Sequence, residues 1–284
     1  MITRQSRQIS LYCLIFIFLG GCAANKNMMR FEQSRMNVPI KMLLMESPIS
    51  IEPGRLQAVF APDIKSALPA SAVLVTEGEK HAQEYALTSM KEALGKQAKL
   101  YVVNPPAEGS LTFDKISDRK FENPITQNEA DWLRASTGAD AILRFGITDY
   151  GLTPKIWRNG YITFEVTSTL AIAGVLAYAG TAAAKAAAGA YLVQEGVEES
   201  AESYAGFWAL DVVSRPVRIE AELVGLNPVA TIWEYNDTGL SDVRLTRLTR
   251  MVNSMERSKQ LDQSTNYAVR DVVSNLSAVT EINK

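Results

Sequence analysis

One long stretch of this chain carries almost no charge, and it limits the folds open to the chain more than any other feature. Thr169–Val193 spans 25 residues, and Lys185 is its only charged residue. The stretch is long enough to cross a bilayer. Small residues also recur in it at four-residue spacing, which allows another helix to approach closely. They are Ala173, Ala177, Ala184 and Ala188.

Predicted strands lie on both sides of this stretch and look like neighbours in one domain. A single membrane span would separate them, and Ala and Gly add little to insertion. We therefore expect an Ala/Gly-rich helical insertion over about 169–207. Two interpretations remain open. The insertion is either a helix or hairpin buried in its own domain, or a surface for other subunits or for a membrane face. In either case, a helix that is apolar on nearly all sides must pack against another surface.

The clearest strands alternate in polarity. Val217–Leu226 is a predicted strand in which apolar and charged residues alternate. Asn227-Pro228 is the predicted turn, and Val229–Tyr235 is the strand that follows it. Ala139–Tyr150 is a further strong strand. Its apolar face contains Ala141, Leu143, Phe145 and Ile147.

Helices are predicted between these strands and after them. Thr126–Ser136 starts with Thr126 and Glu129 in the spacing of a capping box, and Gly138 follows its end. Glu79–Leu94 has apolar residues at helical spacing. Two helices close the chain. The first has a stripe of Leu245, Leu248, Val252 and Met255, and the second has one of Ala268, Val269, Val272, Val273 and Leu276.

Weaker apolar runs predict further strands, and together these elements define a fold class. The runs are Leu56–Ala61, Ala72–Thr76, Leu100–Val103 and Tyr161–Thr167. The sum is an α/β (α+β) fold, a mixed sheet of about six strands with helices packed on it. We place this single domain at residues 56–284.

The first residues have the layout of a secretory signal. Arg4 and Arg7 precede the apolar run Leu11–Leu19, which is too short to span a membrane. The sequence Leu19-Gly20-Gly21-Cys22 resembles the end of a bacterial lipoprotein signal. We expect residues 1–21 to be removed and Cys22 to carry lipid, with 22–55 as the tether. An ordinary signal peptide is the alternative.

Composition and motifs speak against most catalysis. Without residues 1–21, the chain has 27 basic and 31 acidic residues, so a nucleic-acid partner is not expected. Apart from Cys13 in the signal, Cys22 is the only cysteine, and His81 is the only histidine. No nucleotide-binding, hydrolase or metalloprotease motif is present. We expect no catalytic residue, cofactor or metal, and a solvated His81.

A basic stretch near the C terminus has two interpretations. Arg244, Arg247, Arg250 and Arg257 lie close together in the sequence. We expect them on a solvated face opposite Leu245 and Leu248. The alternative is contact with anionic lipid or polysaccharide.

Two sequence patterns carry a family resemblance. Gly138–Leu143 with Phe145–Gly151, and Arg218–Val224 with Thr231–Tyr235, resemble strands of the curli-secretion channel lipoproteins. That group includes exopolysaccharide-export and peptidoglycan-synthase activator lipoproteins, whose fold is similar to the amino-terminal domain of the Tol translocation protein. The resemblance covers residues 56–165 and 215–280.

The resemblance implies a non-enzymatic lipoprotein. Ala23 after the cysteine implies the outer membrane, with the domain on the periplasmic face. The expected partners are the outer membrane through lipid on Cys22, envelope proteins of an export or cell-wall machine, and other copies of the chain. The insertion departs from the family. Two other classes remain as alternatives. One is an envelope hydrolase or glycan-binding protein with carboxylates in a cleft, and the other is a small-ligand binding lipoprotein.

Overall fold

The computed structural model describes residues 39–49, 51, 53–60, 69–106, 111–117, 119, 123–178, 181, 189–190 and 205–281. The strands are β1 (Ile40–Glu46), β2 (Leu100–Val103), β3 (Ala141–Tyr150), β4 (Val217–Leu226) and β5 (Val229–Gly239). The helices are α1 (Pro53–Phe60), α2 (Pro69–Gly95), α3 (Leu111–Ser117), α4 (Gln127–Thr137), α5 (Lys155–Tyr178), α6 (205–213) and α7 (Ser254–Glu281). A short 3₁₀ turn, Leu245–Leu248, precedes α7.

The five strands form one mixed sheet in the order β2-β1-β3-β4-β5. β1 pairs in parallel with β2 and with β3, whereas β3, β4 and β5 pair antiparallel in succession. The predicted fold class is therefore confirmed, with five strands rather than about six. Helices cover both faces of the sheet, so the described part of the chain forms three layers.

The larger core lies between one face of the sheet and the helices α2 and α7. Leu143 and Phe145 on β3 belong to it, together with Met90 on α2 and Val272 on α7. The smaller core lies on the opposite face, under α3 and α4, and includes Leu43 of β1. Because β1 contributes side chains to both cores, its sequence is a nearly continuous apolar run.

Several local predictions are confirmed. Thr126 caps α4, accepting a hydrogen bond from the Glu129 amide, and the Glu129 side chain accepts from the Thr126 amide in return. Gly138 ends that helix in the left-handed conformation. The hairpin of β4 and β5 turns at Asn227–Pro228, whose peptide bond is cis. The four apolar residues expected on one face of β3 all lie in the larger core.

Other predictions are wrong, and most of them concern short apolar runs. The described part of the run at 56–61, residues 56–60, is helical in α1, the run at 72–76 is helical in α2, and Tyr161–Thr167 lies within α5. Such runs fit a buried helix as well as a strand. The domain also starts before residue 56, because β1 lies within the stretch that we assigned to the tether and forms an interior strand of the sheet.

Candidate functional site

Three segments meet at one end of the sheet. β3 ends there at Tyr150, which pairs with Val217 at the start of β4, and Val217 pairs in turn with Gly239 at the end of β5. α5 leaves from this end, α6 returns to it, and the chain after β5 crosses it. We name α5, α6 and residues 240–255 together the apolar end, for the side chains described below.

A buried carboxylate ties α6 to the start of α5. Asp211 on α6 accepts hydrogen bonds from the amide and the hydroxyl of Thr153, and Arg158 donates to it over 2.8 Å. Burial raises the pKa of Asp211, while the hydrogen bonds from Thr153 and the charge of Arg158 oppose the rise. The guanidinium of Arg158 also lies 5.2 Å from the ring centre of Phe207. These contacts fix the direction in which α5 leaves the domain.

A second ion pair holds α1 against the same end. Arg55 donates to the carbonyl of Thr153 over 2.9 Å, and its guanidinium lies 3.1 Å from the buried carboxylate of Asp149. Burial raises the pKa of Asp149, and Arg55 counteracts that effect. The end of β3 is thereby joined to α1 as well as to α5.

A buried arginine shapes the segment after β5. The side chain of Arg247 is only 4% exposed. It donates to the carbonyls of Val213 and Asp242, to the carboxylate of Asp242 over 3.2 Å, and to that of Glu256 over 3.1 Å. A guanidinium has five donors, so it can satisfy several carbonyls that a loop leaves unpaired. Hydrogen bonds from Arg250 and then Arg247 lower the pKa of Glu256 to about 2.

This arrangement overturns the expected amphipathic helix at residues 245–255. Arg247 was expected on a solvated face opposite Leu245 and Leu248, yet Arg247 is buried and Leu245 is 69% exposed. The segment forms a 3₁₀ turn and a loop, and α7 begins only at Ser254. The physical reason is that Val213 and Asp242, which bind Arg247, come from outside the predicted helix.

Exposed apolar side chains concentrate at this end. Of 16 large apolar side chains exposed among the described residues, 11 belong to the apolar end. They are Ile156, Ile162, Phe164, Leu170, Ile172 and Tyr178 on α5, Trp208 on α6, and Val243, Leu245, Met251 and Met255 after β5. Concentrations of this kind mark surfaces that bind a partner or a membrane.

α5 is exposed on more than one side. Ile162 and Phe164 are two residues apart, and so are Leu170 and Ile172, which places the members of each pair on nearly opposite sides of the helix. All four are exposed. Residues 166–178 contain no charged residue. A helix that exposes apolar side chains on opposite sides gains stability when another surface covers them.

The predicted site residues fall partly within the described chain. Ala173 and Ala177 lie in the C-terminal turns of α5. Ala184, Ala188 and the lipidation site Cys22 lie outside the described residues, so their roles stay predictions. No helix within the described residues has both the length and the hydropathy that crossing a bilayer requires. The insertion starts earlier than expected, because α5 begins at Lys155.

Sequence reasoning missed the exposed side chains that define this end. Ile162 and Phe164 were assigned to a strand, and Leu245 and Met255 to a core stripe. One signal was available for α5: Pro154 stands directly before its first residue, a position where proline favours helix initiation. No local signal marked the segment after β5, because Arg247 binds the end of α6.

A separate cleft lies where β1 ends. Glu46 lines it together with Glu84, Lys80, Gln83 and Leu87, and its volume is about 320 Å³. Burial raises the pKa of Glu46 to about 8, against the opposing charge of Lys91. His81 on the same helix as Glu84 is exposed, and its Nε2 lies 3.0 Å from a carboxylate oxygen of Asp262.

A larger groove of about 520 Å³ runs between α2 and α7. Its walls are mostly polar and include Glu92, Lys96, Gln97 and Arg270. The hydroxyl of Ser277 donates to the Gln97 side chain across it over 2.8 Å. Walls of this kind suit water or polar ligands better than an apolar ligand.

Together these features define a class: an α+β domain whose most unusual surface is apolar and partly helical. No protein-family model and no curated protein matches the chain. Among solved structures, it is similar to the hypothetical protein CT253 of Chlamydia trachomatis, with 12% identity and a TM-score of 0.38 over 84% of this chain and 96% of that one. It is also similar to the PelC dodecamer of Paraburkholderia phytofirmans, with 8% identity and a TM-score of 0.30 over 84% and 87%. At such TM-scores, function has to be inferred from this chain's own residues.

Proposed function

We propose that this protein is a non-enzymatic lipoprotein that faces the periplasm from the outer membrane, where it serves as an assembly or accessory component of an envelope export or cell-wall machine. The single observation that carries the proposal is the exposure of apolar side chains on opposite sides of α5. This helix leaves a well-packed domain, and the contact between Asp211 and Arg158 holds its base in place. Such a helix is suited to packing against other proteins, including further copies of the chain.

The proposed location rests on the N-terminal sequence. Lipid on Cys22 would hold the protein at a membrane. Cells that express the whole chain should incorporate labelled palmitate into the wild type and not into Cys22→Ser, and only the wild type should fractionate with outer membranes. Recovery of unlabelled wild-type protein in the soluble periplasm would refute the anchor.

The assembly role is tested by paired substitutions. Phe164 on α5 and Tyr101 on β2 are aromatic and exposed to a similar extent, 51% and 53%. We expect Phe164→Ser to lower the mass of the detergent-solubilised assembly and its recovery of envelope proteins, because it removes an apolar contact. The matched control, Tyr101→Ser, should change neither quantity.

A deletion tests most of the insertion. Residues 169–203 are replaced by a short linker in the full chain, and mass and partner recovery are measured again. A deletion variant that stays folded, with its assembly and partners unchanged, would contradict the assembly role of this segment.

A second candidate function has one observation in its favour. Two carboxylates, Glu46 and Glu84, line the same cleft, and a carboxyl with a pKa near 8 is protonated at neutral pH, as a general acid must be. If this cleft hydrolyses glycans, the wild-type protein should release reducing ends from cell-wall polysaccharide. The Glu46→Gln variant should not. Equal release by both proteins, or none by either, would remove the candidate.

A further inference from the structure

The segment between β5 and the first turns of α7 combines two surface properties. Val243, Leu245, Met251 and Met255 expose apolar side chains there, and Met251 is 90% exposed. Residues 241–259 also contain two acidic residues and five basic ones, of which only Arg247 is buried, although the whole chain has a net charge of −2. We name residues 241–259 the basic–apolar loop.

Hydrogen bonds hold the basic–apolar loop in place. Arg247 links it to α6, and the Ser241 amide donates to the Ser214 carbonyl over 3.0 Å. Arg250 donates twice to Glu256, at 2.7 and 2.6 Å. The apolar side chains are thus presented by an ordered backbone, and docking does not have to order it.

The two properties together indicate the occupant. Apolar side chains next to bases fit the boundary between headgroups and acyl chains of an anionic bilayer. Arg244 is 61% exposed, although it also pairs with Asp242, and Lys259 is exposed four residues after Met255, on the same side of α7. We infer that the basic–apolar loop docks on an anionic membrane surface, the membrane to which Cys22 is proposed to be anchored.

The geometry allows the loop and the anchor to reach one membrane. β1 enters the sheet at the opposite end from the loop, and the ten residues of β3 place the two ends about 30 Å apart. Seventeen residues separate Cys22 from Ile40. A chain of that length can reach roughly 60 Å when extended, about twice the distance required.

The experiment uses the whole chain, purified from membranes and reconstituted in phosphatidylcholine vesicles with or without phosphatidylglycerol. A cysteine introduced by Met251→Cys carries an environment-sensitive dye, and nitroxide-labelled lipid serves as the quencher. The matched control is Lys96→Cys, an exposed position at the opposite end of the sheet. The unsubstituted chain, labelled in parallel, gives any contribution from Cys22.

We expect lipid to quench the dye at position 251 far more than at position 96, and only in the anionic vesicles. Arg244→Gln and Lys259→Gln should each lower the docking equilibrium constant roughly fivefold. Leu245→Ser should weaken docking at unchanged urea stability. Equal quenching at the two positions would overturn the inference. So would pyrene excimer emission from position 251, because a second copy would then cover the loop.

Because this inference rests on the proposed anchor, one measurement separates the two. High salt screens the loop contact but leaves a lipid anchor intact. If the protein floats with vesicles at high salt but the dye is quenched equally at both positions, the proposed anchor stands and the proposed docking is refuted. If the protein does not float at high salt but the dye at position 251 is quenched at low salt, the proposed anchor is refuted and the proposed docking stands.

Discussion

Gly239 lies where α7 closely approaches the sheet, and its replacement tests the packing of the larger core. A Cβ atom at Gly239 would lie 1.9 Å from the Ser264 carbonyl oxygen and 2.6 Å from the Ala268 amide nitrogen. Both atoms belong to the backbone of α7. No change of side-chain rotamer can therefore relieve the overlap in Gly239→Ala.

The size of the effect follows from these distances. Ordinary contact starts near 3.4 Å, so α7 must move outward by about 1.5 Å at this point. That movement would disturb side chains such as Val269 and Val272, which are buried in the core. Overpacking a core costs 1–3 kcal/mol. Since a whole helix must move here, we expect a loss of at least about 3 kcal/mol, and a melting temperature lower by about 6–12 °C.

The assay is urea and thermal unfolding of the full chain, followed by circular dichroism. Two other Gly→Ala variants serve as controls. Gly160→Ala places its Cβ in open space on α5 and should be neutral or stabilising by up to about 1 kcal/mol. Gly225→Ala meets the end of the Ile232 side chain, which can move, so its cost should be smaller than that of Gly239→Ala. A Gly239→Ala protein within about 0.5 kcal/mol of the wild type would refute the close approach.

Three further predictions concern charged groups. Arg247→Met should lower the free energy of unfolding in urea by about 3 kcal/mol, because the carbonyls of Val213 and Asp242 lose their hydrogen-bond donor. Arg244 is exposed, so Arg244→Gln should change that free energy by less than about 0.5 kcal/mol. Asp211→Asn should destabilise the protein by about 1–3 kcal/mol and speed amide hydrogen exchange in α6, because its new amide hydrogens face Arg158. Burial raises the pKa of Glu46 to about 8 in the folded state. Between pH 4.5 and about 8, the folded protein therefore binds a proton at Glu46 that the unfolded chain does not bind. The contribution of Glu46 to the free energy of unfolding falls as pH rises through that range. Glu46→Gln should flatten that part of the stability profile measured by urea unfolding, and an unchanged slope would exclude a buried, protonated Glu46.

The sequence predicted those elements whose signals are local. The capping box of α4, the end of that helix at Gly138 and the alternation in β3 and β4 each depend on neighbours along the chain, and all are present. β1 was missed for the opposite reason. It is buried on both faces, so it lacks alternation, and the prolines that flank it resembled the breakers of a tether.

The candidate site was harder to predict because its shape depends on distant partners. Ile162, Thr163, Val166 and Thr167 include the β-branched residues that favour strands. In the structure they continue the helix that starts after Pro154. The loop after β5 depends on Arg247 reaching the carbonyl of Val213, 34 residues earlier. Periodicity within a short window carries no information about such a contact.

The connection between β3 and β4, which contains α5 and α6, is a separable module. Tyr150 and Val217 are paired neighbours in the sheet, yet 66 residues lie between them, and the Gly151 amide donates to the Pro216 carbonyl over 2.7 Å at the base. Closing so long a connection costs only about 2.5 kcal/mol more than closing a four-residue turn, since the entropy grows with the logarithm of length. Relatives of this chain could therefore lengthen, shorten or exchange the segment beyond α5 while the hydrogen-bond register of the sheet stays the same.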